Sequence, residues 1–167
     1  EPLLTGIITD TGSFKYSNVS YKTLEVSSSL VKSGADLDKI SREVYMTKPI
    51  SKVKLASRVI ERMKLVNDKA YSYLLLDDFK ELNAKMEYTD GLVNELLYIK
   101  GVDFSVLVTQ EKENFSRISF RSKSELYDAN LFASNFKGGG HKYAAGGRSD
   151  SSIEETLETI RKKLKKL

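Results

Sequence analysis

The sequence predicts an α/β protein: a small mixed-sheet domain with flanking helices over residues 51–167, preceded by a mostly helical segment over residues 1–50. Two observations lead to this fold class. The runs DFSVLVT (103–109) and FSRISFR (115–121) are rich in β-branched and aromatic residues, and the polar turn between them predicts an antiparallel hairpin. Around this hairpin, segments with helical spacing alternate with strand-like ones, which is typical of an α/β domain.

The first part of the chain is predicted to be mostly helical. Its opening apolar run, LLTGII (3–8), is too short for periodicity to separate a buried strand from a helix end. Apolar spacing predicts one helix over residues 20–32 and another that starts at Asp36 or Asp38 and is closed by Pro49. Because so short a segment builds little core of its own, we interpret it as the tail of another domain, with a hinge near Pro49.

The second part alternates helices and strands. In order, the predicted elements are a helix over 51–64, a strand over 70–76, a helix from Thr89 or Asp90 to Gly101, the hairpin, a short helix over 127–136 and a final helix. The final helix begins at a capping box, Ser152 to Glu155, and carries an apolar stripe that predicts packing against the sheet.

Composition excludes several classes of protein. The chain has no cysteine, which rules out disulfides and cysteine chemistry and is typical of the reducing cytoplasm, where we place the protein. It shows no apolar stretch long enough for a membrane span and no signal peptide. The net charge of +4 favours anionic partners, although five basic residues belong to RKKLKKL (161–167), which we expect at a solvated helix end.

A glycine-rich segment, SNFKGGGHKYAAGGRSD (134–150), holds five of the ten glycines and the only histidine, His141. Three successive glycines let a loop turn its backbone N–H groups toward one point and cradle an anion. His141, with the nearby Lys142 and Arg148, would add donors and positive charge. The segment therefore predicts a phosphate or carboxylate site. The alternative is a flexible loop with an ordinary surface histidine.

A second basic group can converge on this segment from the hairpin. If Ile118 and Phe120 point to the core, alternation along the strand turns Arg117, Ser119 and Arg121 to the opposite face. Arg121 lies at the end of the strand, where a guanidinium can hold a phosphate with two parallel hydrogen bonds or stack on a base. The alternative is an ordinary arginine that faces solvent.

These motifs together resemble a known family. RISFRSKSELYDANLFASNFKGGGHKYAAGG (117–147) resembles the C-terminal substrate-binding domain of DHH-family phosphoesterases, and GIITDTGSFKY (6–16) is similar to the last metal-binding motif of that family's catalytic domain. The resemblance runs from residue 6 to about residue 165, and its nearest branch is the oligoribonuclease and pAp-phosphatase type. It implies that residues 1–50 are the end of a DHH catalytic domain with its linker, and that residues 51–167 bind substrate.

The resemblance implies roles for individual residues. Asp10, in TDTG, corresponds to a ligand of the family's divalent metal pair, usually manganese. Arg121 and Ser122 match the family's substrate-contacting arginine–serine pair. The matches to its phosphate-binding loop are Gly138, Gly139, Gly140 and His141.

An activity of the parent protein is implied as well: divalent-metal-dependent hydrolysis of short oligoribonucleotides, pAp or dinucleotides such as pApA. The family's other metal-binding motifs precede the TDTG segment, so we expect a missing N-terminal catalytic segment and an inactive fragment that keeps the substrate clamp. The expected partners are that segment and a short phosphorylated RNA or nucleotide. A homodimer is possible, because family members often pair, but the sequence leaves the oligomeric state open.

The main alternative function is binding without catalysis. The positive net charge and the tyrosines are compatible with a module that binds single-stranded nucleic acid. The sequence shows no RNA-binding signature with interleaved aromatic residues. A related domain of alanyl-tRNA synthetases would bind tRNA, and the TDTG segment argues against it. A purely structural or dimerisation domain would leave the glycine segment without a role.

Overall fold

The computed structural model describes residues 1–16 and 18–167 of the chain. The described residues divide into two units, Glu1–Pro49 and Ile50–Leu167. None of the described helices combines the length and the apolar character that a membrane span requires.

The first unit is built from helices: α1 (Pro2–Asp10), α2 (Tyr21–Lys32) and α3 (Leu37–Tyr45). The ambiguous apolar run over residues 3–8 therefore belongs to a helix, and the two predicted helices are confirmed. Asp36 begins α3, where its carboxylate accepts a hydrogen bond from the Lys39 N–H at 2.9 Å. The buried core of this unit is small and consists of Leu4, Ile8 and Ile40.

The second unit contains the mixed sheet that the sequence predicts. Its helices are α4 (Ile50–Glu61), α5 (Leu76–Glu81), α6 (Leu92–Leu97), α7 (Ala129–Ser134) and α8 (Ile153–Leu164), with a 3₁₀ turn at Met86–Thr89. Its strands are β1 (Lys64–Val66), β2 (Lys69–Leu74), β3 (Phe104–Lys112), β4 (Phe115–Ser122), β5 (Gly139–His141) and β6 (Ala144–Ser149).

The described strands form one sheet in the order β1-β2-β3-β4-β6-β5. Strands β2 and β3 run parallel, and the other neighbours pair antiparallel. The predicted hairpin is confirmed as β3–β4, in which Val106 pairs with Phe120 and Val108 with Ile118. The second unit thus adopts the predicted small α/β fold with flanking helices.

Helices cover the two faces of this sheet unequally. On one face, Ile118 and Phe120 of β4 pack with α7 and α8 in a core rich in phenylalanine. On the other face, Leu107 of β3 and Leu74 of β2 pack against α4 and α6. Strand β3 is therefore buried on both faces over most of its length, whereas β4 alternates between buried and partly exposed residues. The second face of β4, β6 and β5 is the region in which the cleft described below lies.

Several predicted boundaries differ from the structure. The strand predicted over 70–76 ends at Leu74, because Leu75 and the following residues begin α5, which the sequence did not indicate. The helix predicted from Thr89 or Asp90 to Gly101 is limited to Leu92–Leu97, since Thr89 belongs to the 3₁₀ turn and residues 98–101 form turns. For α8, the predicted cap is present, because the Ser152 hydroxyl accepts a hydrogen bond from the Glu155 N–H at 3.2 Å.

The largest difference concerns the glycine-rich segment. The prediction of a loop is wrong, because Gly139–His141 and Ala144–Ser149 form the antiparallel hairpin β5–β6 at the edge of the sheet. Glycine has low strand propensity, so the local sequence favours a loop. Pairing of β6 with β4 along six register positions overrides that preference.

Candidate functional site

A cleft of about 550 Å³ opens on the β4–β6–β5 part of the sheet. One side is formed by outward-facing residues of β4 and by the glycine-rich hairpin, and the other by the residues that lead into α6. The residues that line it are Thr89, Asp90, Gly91, Val93, Arg117, Ile118, Ser119, Arg121, Gly139, Gly140, Ala144, Ala145, Gly146 and Gly147. None of these lining residues is aromatic or carries a large apolar side chain other than Val93 and Ile118.

The predicted orientation of β4 is confirmed. Ile118 and Phe120 are fully buried on the core face, while Arg117, Ser119 and Arg121 are partly exposed and line the cleft. Because opposed residues of paired strands point to the same face, Arg121 shares its face with Ala144 of β6 and, one strand further, with His141 of β5. The neighbouring row joins Ser119, Gly146 and Gly139 in the same way.

This register gives the cleft a floor of small residues with cations around it. Strands lie roughly 4.8 Å apart, so the backbones of Arg121 and His141 are separated by about 10 Å across Ala144. A ligand on this floor can approach the backbone closely, because Gly139 and Gly146 carry no side chain there. Small residues flanked by a guanidinium suit a compact anion better than a bulky apolar ligand.

Arg117 is tied to the opposite wall of the cleft. Its Nη2 donates to the Thr89 hydroxyl at 2.6 Å, and its Nη1 lies 3.6 Å from a carboxylate oxygen of Asp90. Its Nε is 3.1 Å from a carboxylate oxygen of Glu111, at an angle that makes an ion pair without a hydrogen bond. The contacts with Thr89 and Asp90 hold the residues before α6 against β4.

The arginine–serine pair is split by strand alternation. Arg121 lines the cleft, and its Nη1 donates to the Phe120 carbonyl at 2.9 Å. Ser122 points to the other face, is 5% exposed, and exchanges hydrogen bonds with Ser124, whose carbonyl accepts from the Ser122 hydroxyl at 3.0 Å. The structure thus brings Arg121 into the cleft and uses Ser122 in the turn that follows β4.

Two of the three glycines are required by close backbone packing. A Cβ on Gly138 would lie 2.0 Å from the Gly146 carbonyl oxygen, and a Cβ on Gly140, whose φ is +153°, would lie 2.6 Å from the Ala144 carbonyl oxygen. Their amides are also engaged, because the Gly138 N–H donates to the Ala133 carbonyl and the Gly140 N–H to the Asn130 side chain. The expected convergence of glycine amides on one open point therefore does not form.

His141 ends β5 as an exposed residue and does not line the cleft itself. It occupies the same cross-strand row as Arg121, with Ala144 between them. Its ring makes no hydrogen bond to any residue in the described part of the chain. His141 is therefore placed at the rim, where it can reach a ligand that extends beyond the floor.

The turn of the β5–β6 hairpin is fastened to the loop after β4. Lys142 and Tyr143 both donate hydrogen bonds to the carboxylate of Glu125. The Lys142 ammonium, with the Tyr143 hydroxyl, holds the pKa of Glu125 below its usual value, and Glu125 in turn raises the pKa of Lys142. Because the carboxyl pKa is lowered in the folded chain, this contact is present at neutral pH and is lost as the pH falls through that lowered pKa.

Asp10 lies away from any cluster of metal-binding side chains. It ends α1 as an exposed residue, and its carboxylate is 3.5 Å from the Asn18 side-chain nitrogen. Over residues 1–16 and 18–167, no three histidine, aspartate or glutamate side chains are grouped so that they could hold a metal ion. A metal pair needs several such ligands, so the described residues do not fit one.

Sequence reasoning missed the wall formed by Thr89, Asp90 and Gly91. It treated these residues only as the start of a helix, because their contact with β4 depends on a strand far along the chain. Ala144 and Gly146 belong to the glycine-rich segment, but their place in the floor follows from the register with β4. The Asp90–Gly91 dipeptide, typical of a turn, was the local signal that could have marked this wall.

Comparison with known proteins identifies the family and a close structural relative. The DHHA1 domain model matches residues 67–167. The bifunctional oligoribonuclease and PAP phosphatase NrnA of Thermus thermophilus is 29% identical over 98% of this chain and 50% of that protein. Its namesake from Bacillus subtilis is 29% identical over 87% of this chain and 46% of that protein.

Among solved structures, an exopolyphosphatase-related protein from Bacteroides fragilis superposes with a TM-score of 0.89 and 32% identity, over 96% of this chain and 47% of that one. The chain spans about half the length of the curated relatives that it matches.

Proposed function

This chain belongs to the DHHA1 domain family, and from that premise we propose that its second unit is the substrate clamp of a phosphoesterase for short phosphorylated nucleotides. The observation that carries the proposal is the cleft, in which Arg121 stands beside a floor of alanine and glycine. Relatives named as oligoribonuclease and PAP phosphatase give the class of substrate. The first unit would then be the end of the catalytic domain and the linker.

Phosphate recognition follows from the chemistry of the cleft. A guanidinium is planar and permanently charged, and it offers paired N–H donors that match two phosphate oxygens. The small residues of the floor leave room for a phosphate beside Arg121. At the rim, His141 can donate to an oxygen of the same phosphate or of the adjoining sugar. In this proposal Ser122 supports the clamp through the turn after β4, without touching the ligand.

Short substrates are favoured over long single strands by the same geometry. Modules that bind long single strands stack successive bases on aromatic side chains. The residues that line this cleft include no aromatic ring, so they offer phosphate contacts and little stacking. A single-stranded nucleic-acid or tRNA-binding module is therefore the weaker alternative.

Hydrolysis is proposed for the longer protein, because this chain spans about half the length of its curated relatives. The divalent metal pair, expected to be manganese, would require ligands beyond Asp10, which lacks neighbouring carboxylates or imidazoles among the described residues. The contribution proposed for this chain is to bind and position the phosphorylated end, which lowers the entropic cost of the reaction. The cytoplasmic location and the homodimer stay predictions.

Calorimetric titration tests the clamp directly. We expect pApA to bind this chain without added metal, and a long single-stranded oligoribonucleotide that lacks a 5′-phosphate to bind more weakly. Preferential binding of the long strand would contradict the proposal and favour the nucleic-acid module. Absence of binding by pApA would show that the cleft is not a preformed clamp.

His141→Ala is expected to weaken pApA binding by roughly 1–3 kcal/mol, the usual loss for a hydrogen bond to a charged group. The fold should be unaffected, because the His141 ring is exposed and has no hydrogen-bond partner among the described residues. Calorimetry of the variant beside Lys165→Ala, which removes an exposed basic side chain next to α8, measures the difference. Equal affinities for the two variants would remove His141 from the site.

A further inference from the structure

Two arginines face each other across the strands that form the floor of the cleft. Arg117 of β4 and Arg148 of β6 are direct register partners, so their side chains leave the same face of the sheet. That face is the one on which Arg121 and Ser119 line the cleft. Like charges in directly opposed positions of a sheet are destabilising, and an anionic ligand that contacts both guanidinium groups would offset their repulsion.

The two guanidinium groups differ in their surroundings. Arg117 already contacts Thr89, Asp90 and Glu111. Arg148 is exposed, and its side chain makes no hydrogen bond or ion pair with any residue in ranges 1–16 and 18–167.

The nearest acid along the strand of Arg148 is otherwise engaged. Lys137 binds the carboxylate of Asp150 at 2.5 Å and is the main cause of its lowered pKa, to which the charge of Arg148 adds. Arg148 does not line the cleft itself, but it follows Gly147, which does, and leaves the same face of the sheet as Arg117, so its donors can reach a ligand that extends from the cleft.

The spacing along β4 separates this pair from Arg121. Arg117 and Arg121 are four residues apart on an extended strand, so their backbones are separated by about 13 Å. The long side chains can close part of that distance. Between them lies the partly exposed Ser119 hydroxyl, which faces the cleft and has no side-chain partner in the described structure. It can donate to or accept from a sugar hydroxyl.

We propose that Arg117 and Arg148 form a second anion subsite, which holds the internal phosphate of a short oligonucleotide whose terminal phosphate is held by Arg121. This inference rests on the proposed phosphate clamp and adds the feature that distinguishes a dinucleotide from a mononucleotide. Arg117 is the positioned member of the pair, because three neighbours fix its guanidinium. Arg148 approaches the phosphate from the facing strand, and the bound phosphate balances the positive charge of the two arginines.

The test compares two ligands on matched variants of this chain. Calorimetric titrations of 5′-AMP and of pApA are run on the wild-type chain, on Arg148→Gln and on Arg161→Gln. Arg161 is the control because it lies on α8, which packs on the opposite face of the sheet. We expect Arg148→Gln to weaken pApA binding by about tenfold, since a charge-assisted contact is lost, and to leave 5′-AMP binding unchanged. Arg161→Gln should change neither affinity.

The outcomes separate this inference from the proposed function. If 5′-AMP and pApA bind the wild-type chain equally and Arg148→Gln changes neither, the terminal-phosphate clamp stands and the second subsite is refuted. If neither ligand binds the wild-type chain, both proposals fail. Thermal unfolding adds an independent reading, because removal of a like-charged neighbour should leave the melting temperature of Arg148→Gln unchanged or raised. A lowered melting temperature together with weaker binding of both ligands would assign Arg148 a structural role and overturn the subsite.

Discussion

Gly138→Ala is expected to lower the free energy of unfolding by about 3 kcal/mol, the upper part of the range for a forced insertion into packed structure. The added Cβ would lie 2.0 Å from the Gly146 carbonyl oxygen and 2.5 Å from the Gly147 Cα. Both are backbone atoms, so no side-chain rotation can relieve the overlap. The chain must instead move β6 away from the segment that enters β5, which also disturbs the floor of the cleft.

Urea unfolding of Gly138→Ala beside Gly139→Ala measures this effect. Gly139→Ala is a matched control, because its Cβ would meet no atom closer than the Asn130 side-chain oxygen at 3.4 Å. We expect the stability of the control to stay within roughly 0.5 kcal/mol of the wild-type chain. Equal stability of the two variants would mean that β5 and β6 are not packed as closely as described.

The hairpin β3–β4 could be predicted because its signal is local. Alternation with period two along FSRISFR is enough to place Ile118 and Phe120 on one face and Arg117 and Arg121 on the other. The structure confirms that division, and it is this alternation that takes Ser122 out of the cleft. The cationic face of the site was therefore accessible from the sequence, and the place of Ser122 on the opposite face follows from the same alternation.

The glycine hairpin could not be predicted in the same way. Its strand character comes from pairing with β4, because residues 138–147 are mostly glycine and alanine, which have low strand propensity. Glycine at 138 and 140 reflects the close approach of β6, which is a tertiary constraint, whereas local reasoning reads a glycine run as conformational freedom. The same limit applies to Thr89 and Asp90, whose part in the cleft depends on their contact with Arg117.

Substitution of Gly146 is expected to have the largest effect on ligand binding without loss of the fold. Gly146 lies in the floor of the cleft, and a Cβ there would meet only the Ile118 carbonyl oxygen, at an ordinary distance of 3.8 Å. Further side-chain atoms would extend into the space that a phosphate needs. We expect Gly146→Ala to weaken pApA binding by about tenfold, and Gly146→Leu to abolish measurable binding.

A graded series distinguishes blockage of the cleft from damage to the fold. Replacing glycine in the paired strand β6 by alanine, valine and leucine reduces the entropy of the unfolded chain, so the melting temperature should stay level or rise through the series. Binding should fall as the side chain grows, because the added atoms occupy the floor between Ser119 and Gly139. If pApA binds all three variants with the wild-type affinity, the ligand does not lie on this floor. In that case any ligand of Arg121 and Arg148 would bind outside the floor of the cleft, and the small residues would serve only the packing of β5 on β6.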